Sequence, residues 1–307
     1  MATDPALLEA ANLSASKRLP AYLALVTGIL CIGWSAILVR WTDIPGPASA
    51  FYRMLLPALL LLPTFLFDRH RQRVGGRNIA IIALGGLFFA LDLAFYNTSI
   101  LRTSAANATL LGNNTPIVVG LLTWLIFGRK PKFSFWLGLL FAVGGSLVIL
   151  WADLRRQAHF GVGDLMALAA AACFAVYLIA TEQVRTTTST IVFLRLAMIS
   201  TTLALLVINL SLGISLRVTS SRTWLALIAL GLISQLAGYL ALTYALGHLP
   251  ATITSVSLLS QGPLTAAMAA VLLNEPVSMG QIVGGVLVLC GVGLAHREKH
   301  PEEEANV

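Results

Sequence analysis

Asp92 is the one acidic residue well inside an apolar stretch of this 307-residue chain, and Tyr96 and Ser99 follow it at helical spacing, so that carboxylate, phenol and hydroxyl share a face. A carboxylate at membrane depth either carries protons or holds a cationic group, or else it sits protonated against a neighbouring helix. Asn107, Leu111 and Asn114 define a second polar-edged helical face, and Thr254, Leu258 and Gln261 define a third of the same pattern. Pro116 and Pro263 stand beside Asn114 and Gln261; each frees a carbonyl about one turn back, which a polar side chain or a ligand can satisfy. These two prolines are the expected hinges. Trp34 and Tyr177 occupy matching places in two other apolar stretches, Trp34 either packing between helices or facing a cavity, and Tyr239 and Ser257 complete the set of candidate lining residues. Such amides, hydroxyls and aromatic rings bind by hydrogen bonding and stacking, unless the amide pairs only glue helices together.

Enzyme chemistry at membrane depth needs paired aspartates, a Ser/His arrangement or a metal-ligand cluster. The chain offers one core acid and a lone His248 at a helix junction, with no His-Glu-x-x-His motif. No catalytic role, metal or cofactor is therefore expected.

The elements that position these residues follow from composition. At 57% hydrophobic and 11% charged residues with a mean hydropathy of +0.84, the chain lies far outside soluble composition. Windows near the roughly 20 apolar residues of a helical span fall at about 21–41, 48–67, 78–98, 105–127, 133–151, 163–181, 189–213, 224–246, 251–273 and 279–296. The expected fold is an all-α membrane protein of ten spans, with polar tails at 1–19 and 297–307 and five-helix units at 20–152 and 162–296. The alternating pattern of barrel strands is absent. The net charge of +7 is dispersed over helix ends, so no continuous basic face exists for nucleic acid. Its bias toward Lys17–Arg18, 69–77, 129–132, Arg185 and 297–299 places both termini in the cytoplasm. Cys31, Cys173 and Cys290 lie in separate spans and read as packing residues.

The two units repeat one another. Gly85, Arg102, Gly138 and Gly145 recur at a constant offset as Gly231, His248, Gly284 and Gly291; Asn107, Asn114 and Pro116 recur one residue further on as Thr254, Gln261 and Pro263. Five spans is an odd number, so the second copy enters the bilayer in the opposite sense. Inverted repeats place a substrate near the midplane between halves that rock to expose it alternately. That favours a carrier over a channel. The glycines of the fifth and tenth spans read as a packing signature. Arg53 and Arg195, near the starts of the second and seventh spans, are expected to snorkel or to clamp helices rather than to touch substrate.

With these residues in view, the chain resembles the EamA-type, ten-span members of the drug/metabolite transporter superfamily, YddG-like amino-acid exporters among them. The resemblance spans residues 20–296 and rests on Phe51-Tyr52-Arg53, on the Tyr96 to Asn107 hairpin with its copy at Tyr244 to Thr254, on the mid-span prolines, and on Gly128-Arg129-Lys130-Pro131 with its copy Asn274-Glu275-Pro276. It implies export of small metabolites such as amino acids from the cell through the inner membrane, a central cavity lined by the inner helices, and both termini inside. Related four-span multidrug transporters use a first-span glutamate for proton exchange, whereas here the first and sixth spans lack a core acid and Glu182 lies only at the end of the sixth. Asp92 is then the candidate for any coupling. The expected substrate is neutral or zwitterionic, since no arginine is placed at mid-depth to hold a phosphate. Ten spans supply both halves, so a monomer suffices, with the bilayer and a small-molecule substrate as partners; efflux of drugs or of other metabolites is the alternative.

Overall fold

The computed structural model describes residues 5–67, 74–102, 108, 111–112, 114–154, 161–264, 267 and 279–296; Asn107 and the Asn274-Glu275-Pro276 turn lie outside the described residues. Each of the ten apolar windows contains a described helix. In chain order these are α1 (Pro5–Gly33), α2 (Ser35–Arg40), α3 (Gly46–Leu61), α4 (Thr64–Phe67), α5 (Gly76–Arg102), α6 (Thr115–Phe127), α7 (Phe133–Leu154), α8 (Val162–Arg185), α9 (Thr190–Ser211), α10 (Ser221–Ala229), α11 (Gly238–Leu246), α12 (Ala251–Leu258) and α13 (Met279–His296). A π-helical stretch, Leu230–Ala237, joins α10 to α11. Five of the resulting rods are long and apolar enough to cross a bilayer: Leu19–Arg40, Gly76–Arg102, Val162–Arg185, Thr190–Ser211 and Ser221–Leu246. The molecule is an all-α membrane protein. Its outer surface is apolar, with Leu125 75%, Phe133 79%, Leu140 69% and Leu225 70% exposed, as a surface solvated by lipid must be.

Local chemistry sets the helix boundaries. Pro45 precedes α3 with ψ 147° and Pro250 precedes α12 with ψ 147°, the extended backbone in which proline starts a helix without losing a bond. Gly128 closes α6 with φ 65°, a left-handed conformation that costs glycine nothing. The backbone N–H of Gly161 donates to Asp164 Oδ2 at 2.8 Å, fixing the start of α8. Pro63 falls in a turn at Leu62–Pro63 and stops α3, whereas Pro57 is accommodated inside it.

Two helix contacts reveal the inversion directly. α7 packs along α13, and a Cβ built on Gly138 would fall 2.5 Å from the Gly291 carbonyl oxygen, while one on Gly145 would fall 2.5 Å from that of Gly284. Gly138 thus faces the copy of Gly145, and Gly145 faces the copy of Gly138. Only antiparallel helices related by a two-fold axis make that crossed pairing, so the halves enter the membrane in opposite senses. Of the glycines expected to pack, Gly138, Gly145 and Gly291 do so within one chain, whereas Gly144 has open space beside it. Around the same axis α5 packs on α8 and α1 on α11, the second contact tightened where a Cβ on Gly28 would lie 3.1 Å from Gly238 O. Gly238 is the repeat counterpart of Asp92: the second half has a glycine there because α1 occupies the space that a side chain would fill.

The prolines act differently from the expected mid-helix kinks. α6 begins at Thr115, so Pro116 is its second residue and Asn114 precedes it; α12 ends at Leu258, a turn spans Leu259–Ser260, and helix resumes at Gln261, which puts Pro263 in the first turn of the resumed segment. Both spans are broken, and each proline sits in a first turn, where its missing N–H leaves no intrahelical bond unmade. The carbonyl one turn before Pro116 is met as expected: Thr115 Oγ1 donates to Gly112 O at 3.0 Å.

Candidate functional site

A cavity of about 110 Å³ lies where both broken spans meet α3, α5, α8 and α11 at the interface of the halves. Its polar lining is made by Ser35, Arg53, Asp92, Thr115, Ser255 and Gln261, and its aromatic lining by Tyr96, Phe174 and Tyr239. Arg53 is 2% exposed. Its Nε donates to Gln235 Oε1 at 2.6 Å, one terminal nitrogen to Ser35 Oγ at 2.7 Å and the other to Ser234 Oγ at 3.3 Å, and the guanidinium lies 6.0 Å from the Tyr239 ring centre. The π-helical stretch supplies Ser234 and Gln235, and the residues around the α1–α2 break supply Ser35, so backbone irregularity in two spans is used to solvate one cation. Asp92 lines the same cavity, yet no ion pair within 4.0 Å joins it to Arg53; among the described residues the pair that is made is Arg129–Glu182 at 3.7 Å.

These positions correct several expectations. Arg53 neither snorkels nor merely clamps: it lies about 10 Å into its helix, counting seven residues from Gly46 at 1.5 Å each, and points a guanidinium into the cavity. The expectation that no arginine reaches that depth fails with it. Arg195 does behave as a clamp, donating to Thr64 Oγ1 at 3.0 Å with its guanidinium 3.6 Å from the Phe65 ring centre. Asp92, Tyr96, Tyr239, Gln261 and Pro116 line the cavity. Trp34 packs instead in a cluster with Leu38, Val39, Tyr96, Ile100 and Leu230, because the α1–α2 break turns it away from the cavity. Tyr177 is 1% exposed and stacked on Phe89, centroids 4.1 Å apart, so Phe174, one helical turn earlier, is the α8 aromatic that meets the cavity. Thr254 is fully buried behind the lining, and Ser257 Oγ donates to Ile253 O at 2.8 Å; Ser255 takes their place. Asn114 turns back to donate from Nδ2 to Leu111 O at 2.9 Å, and Pro263 lies behind Gln261 rather than in the lining. Ser99 is buried away from the cavity.

The signal for Arg53 was present in its depth along the helix; Ser234 and Gln235 are polar residues inside the eighth apolar window and carried the same signal, but nothing in the sequence shows that they and Ser35 meet Arg53, which they reach from distant spans. One consequence is a divided response. Gln261→Ala should raise the substrate concentration for half-maximal transport by about 2- to 10-fold, the worth of one hydrogen bond of about 0.5–1.5 kcal/mol, with the melting temperature unchanged. Asn114→Ala should do the reverse, lowering stability by about 1 kcal/mol with little change in apparent affinity. Transport titrations and thermal unfolding of the two purified variants check this, and exchanged phenotypes would show that Asn114 is the ligand-facing amide.

Broken helices that meet at a polar cavity between antiparallel halves are the architecture of secondary transporters. The chain belongs to the EamA-like transporter family, whose profile matches residues 19–151 and again 161–296, within the drug/metabolite transporter superfamily. The uncharacterized transporter YwfM of Bacillus subtilis (strain 168) is 27% identical over 237 residues, 74% of this chain and 77% of its own length. The pseudopaline exporter CntI of Pseudomonas aeruginosa (strain UCBPP-PA14) is 26% identical over 247 residues, 80% of this chain and 84% of its own. A protein of known crystal structure superposes with a TM-score of 0.76 at 19% identity, over 91% of this chain and 96% of its own, a likeness of fold. The protein is thus a multi-pass membrane transporter.

Proposed function

We propose that the protein exports small zwitterionic metabolites, amino acids with apolar or aromatic side chains foremost, across the inner membrane by alternating access. The observation that carries this reading is the cavity itself: lined by both polar and aromatic side chains, and bounded by the two broken spans at the interface of the halves. The units 20–152 and 162–296 are the rocking bodies, a monomer is sufficient, and both tails are cytoplasmic. On that topology Glu182 stands at the cytoplasmic end of α8, where Oε2 accepts from the Ala251 N–H at 3.3 Å while Oε1 faces Arg129. It ties α8 to the start of one broken span and to the loop that follows the other. Such exposed ion pairs are weak, about 0–1 kcal/mol, which suits a closure that must open in every cycle. Export as the direction is supported by the exporter among the relatives.

Counterflow in proteoliposomes tests the reading. Vesicles loaded with unlabelled amino acids should transiently accumulate a labelled amino acid presented outside, and the accumulation should saturate. Repeating this under an imposed pH gradient separates proton coupling, in which the gradient drives accumulation, from facilitated exchange, in which it does not. If no amino acid accumulates in correctly inserted protein, while cationic or neutral drugs do, multidrug efflux replaces the amino-acid reading.

A further inference from the structure

Arg53 and Asp92 pose an electrostatic problem that the described residues leave unsolved. A buried guanidinium is costly unless its N–H groups and its charge are both met. Three neutral acceptors, Gln235, Ser35 and Ser234, take one N–H from each nitrogen; among the described residues this leaves one N–H on each terminal nitrogen, and the charge without an anion in contact. Across the same cavity the Asp92 carboxylate, 9% exposed, accepts no hydrogen bond from any described residue. A guanidinium and a carboxyl group that line one space without touching leave room between them for a molecule that meets both. The neutral partners matter here: had Arg53 been held by a carboxylate it would be neutralised already, and as built it is oriented but still cationic. The Gln235 Nε2 likewise has no partner, so the group that aims Arg53 is committed to it through its carbonyl alone.

We infer that Arg53 and Asp92 are the two anchors of the substrate, the guanidinium taking a carboxylate and the Asp92 carboxylate taking an ammonium, so that the site selects molecules bearing both groups. The inference rests on the transport reading for its setting and adds the chemical requirement to it. Arginine suits this use because its fork binds carboxylate oxygens in pairs. The remainder of the substrate lies against Tyr96, Phe174 and Tyr239. On the measure in which one water takes about 10–15 Å³, the cavity of about 110 Å³ holds on the order of ten water-sized groups, close to the heavy-atom count of leucine or phenylalanine.

Binding to the purified wild-type protein is the first test of this. Two triads are compared by the shift of the thermal unfolding midpoint over a concentration series: L-leucine, 3-methylbutylamine and 4-methylpentanoate; and L-phenylalanine, 2-phenylethylamine and 3-phenylpropionate. In at least one triad the amino acid should stabilise the protein at concentrations at least about tenfold below those that its amine or its acid needs, the worth of one charge-assisted hydrogen bond. Asp92→Asn should then bring the amino acid down to the level of its acid while leaving the acid unchanged, which loss of packing alone does not do. An amine as effective as its amino acid removes Arg53 as an anchor, and an equally effective acid removes Asp92. Failure of both amino acids to stabilise the protein overturns the inference outright. Counterflow of another kind of solute would then leave the transporter standing without it, whereas binding in a triad with no counterflow would count against the transport reading alone.

Discussion

Arg53→Leu is expected to yield a folded, inserted protein that transports at about one hundredth of the wild-type rate or less. Two large terms nearly cancel in its stability. Removing the side chain forfeits three hydrogen bonds from a charged group, about 1.5–3 kcal/mol each, and it also removes a buried cation whose desolvation costs several kcal/mol. What remains is the Gln235 carbonyl left without its donor, about 1–3 kcal/mol, since the two serine hydroxyls can rotate to backbone acceptors. The melting temperature should fall modestly and transport should vanish, because a leucine offers a carboxylate nothing. Arg53→Lys keeps the charge but loses the fork and the reach to three partners at once; about tenfold slower transport is expected. Transport per correctly inserted molecule, read beside thermal unfolding, decides the matter. A leucine variant that transports normally would show that the guanidinium is structural after all.

The second large effect separates two neighbouring glycines. Gly145→Ala should destabilise the protein by about 1–3 kcal/mol, the usual range for overpacking a close contact, and Gly144→Ala should be neutral or stabilising by up to about 1 kcal/mol, the helix-propensity gain of alanine over glycine. A Cβ on Gly145 would lie 2.5 Å from Gly284 O, 2.7 Å from Val288 N and 2.8 Å from Leu287 Cβ, whereas one on Gly144 meets nothing within 4 Å. Two of the three obstructing atoms are backbone, so relief requires moving the whole of α13 away from α7. Parallel unfolding midpoints in one detergent provide the comparison, with Gly138→Ala expected to resemble Gly145→Ala. Equal midpoints for the adjacent pair would contradict the antiparallel contact on which the inverted arrangement stands.

Much of this was legible in the chain. Apolar windows gave the spans, because in lipid a helix must satisfy its own backbone and advertises itself by length and composition. The recurrence of Gly138 and Gly145 as Gly284 and Gly291, with an odd number of spans between copies, required the inversion that the crossed glycine contacts display. Asp92, Tyr96, Tyr239 and Gln261 were legible as cavity-lining residues because a polar group inside an apolar run must be compensated, and a cavity compensates it, while Pro116, expected as a hinge, lines the cavity as well.

Rotation about each helix axis was not legible. A residue's depth follows from counting, but which neighbour its side chain meets depends on how six other helices pack, and one turn of error separates Tyr177 in the aromatic core from Phe174 at the cavity. The breaks at Trp34 and before Pro116, and the π-helical turns at Leu230–Ala237, shift that rotation further; they turn Trp34 and Asn114 away and bring Ser35, Ser234 and Gln235 onto Arg53. The chain by itself determined that there are two inverted helical halves with polar groups at depth, since membrane solvation punishes any other reading of its composition. Only the tertiary structure decided which of those groups share a cavity, and that a buried arginine from the second span lines it together with Asp92, since neutral partners drawn from two other spans hold that cation in place.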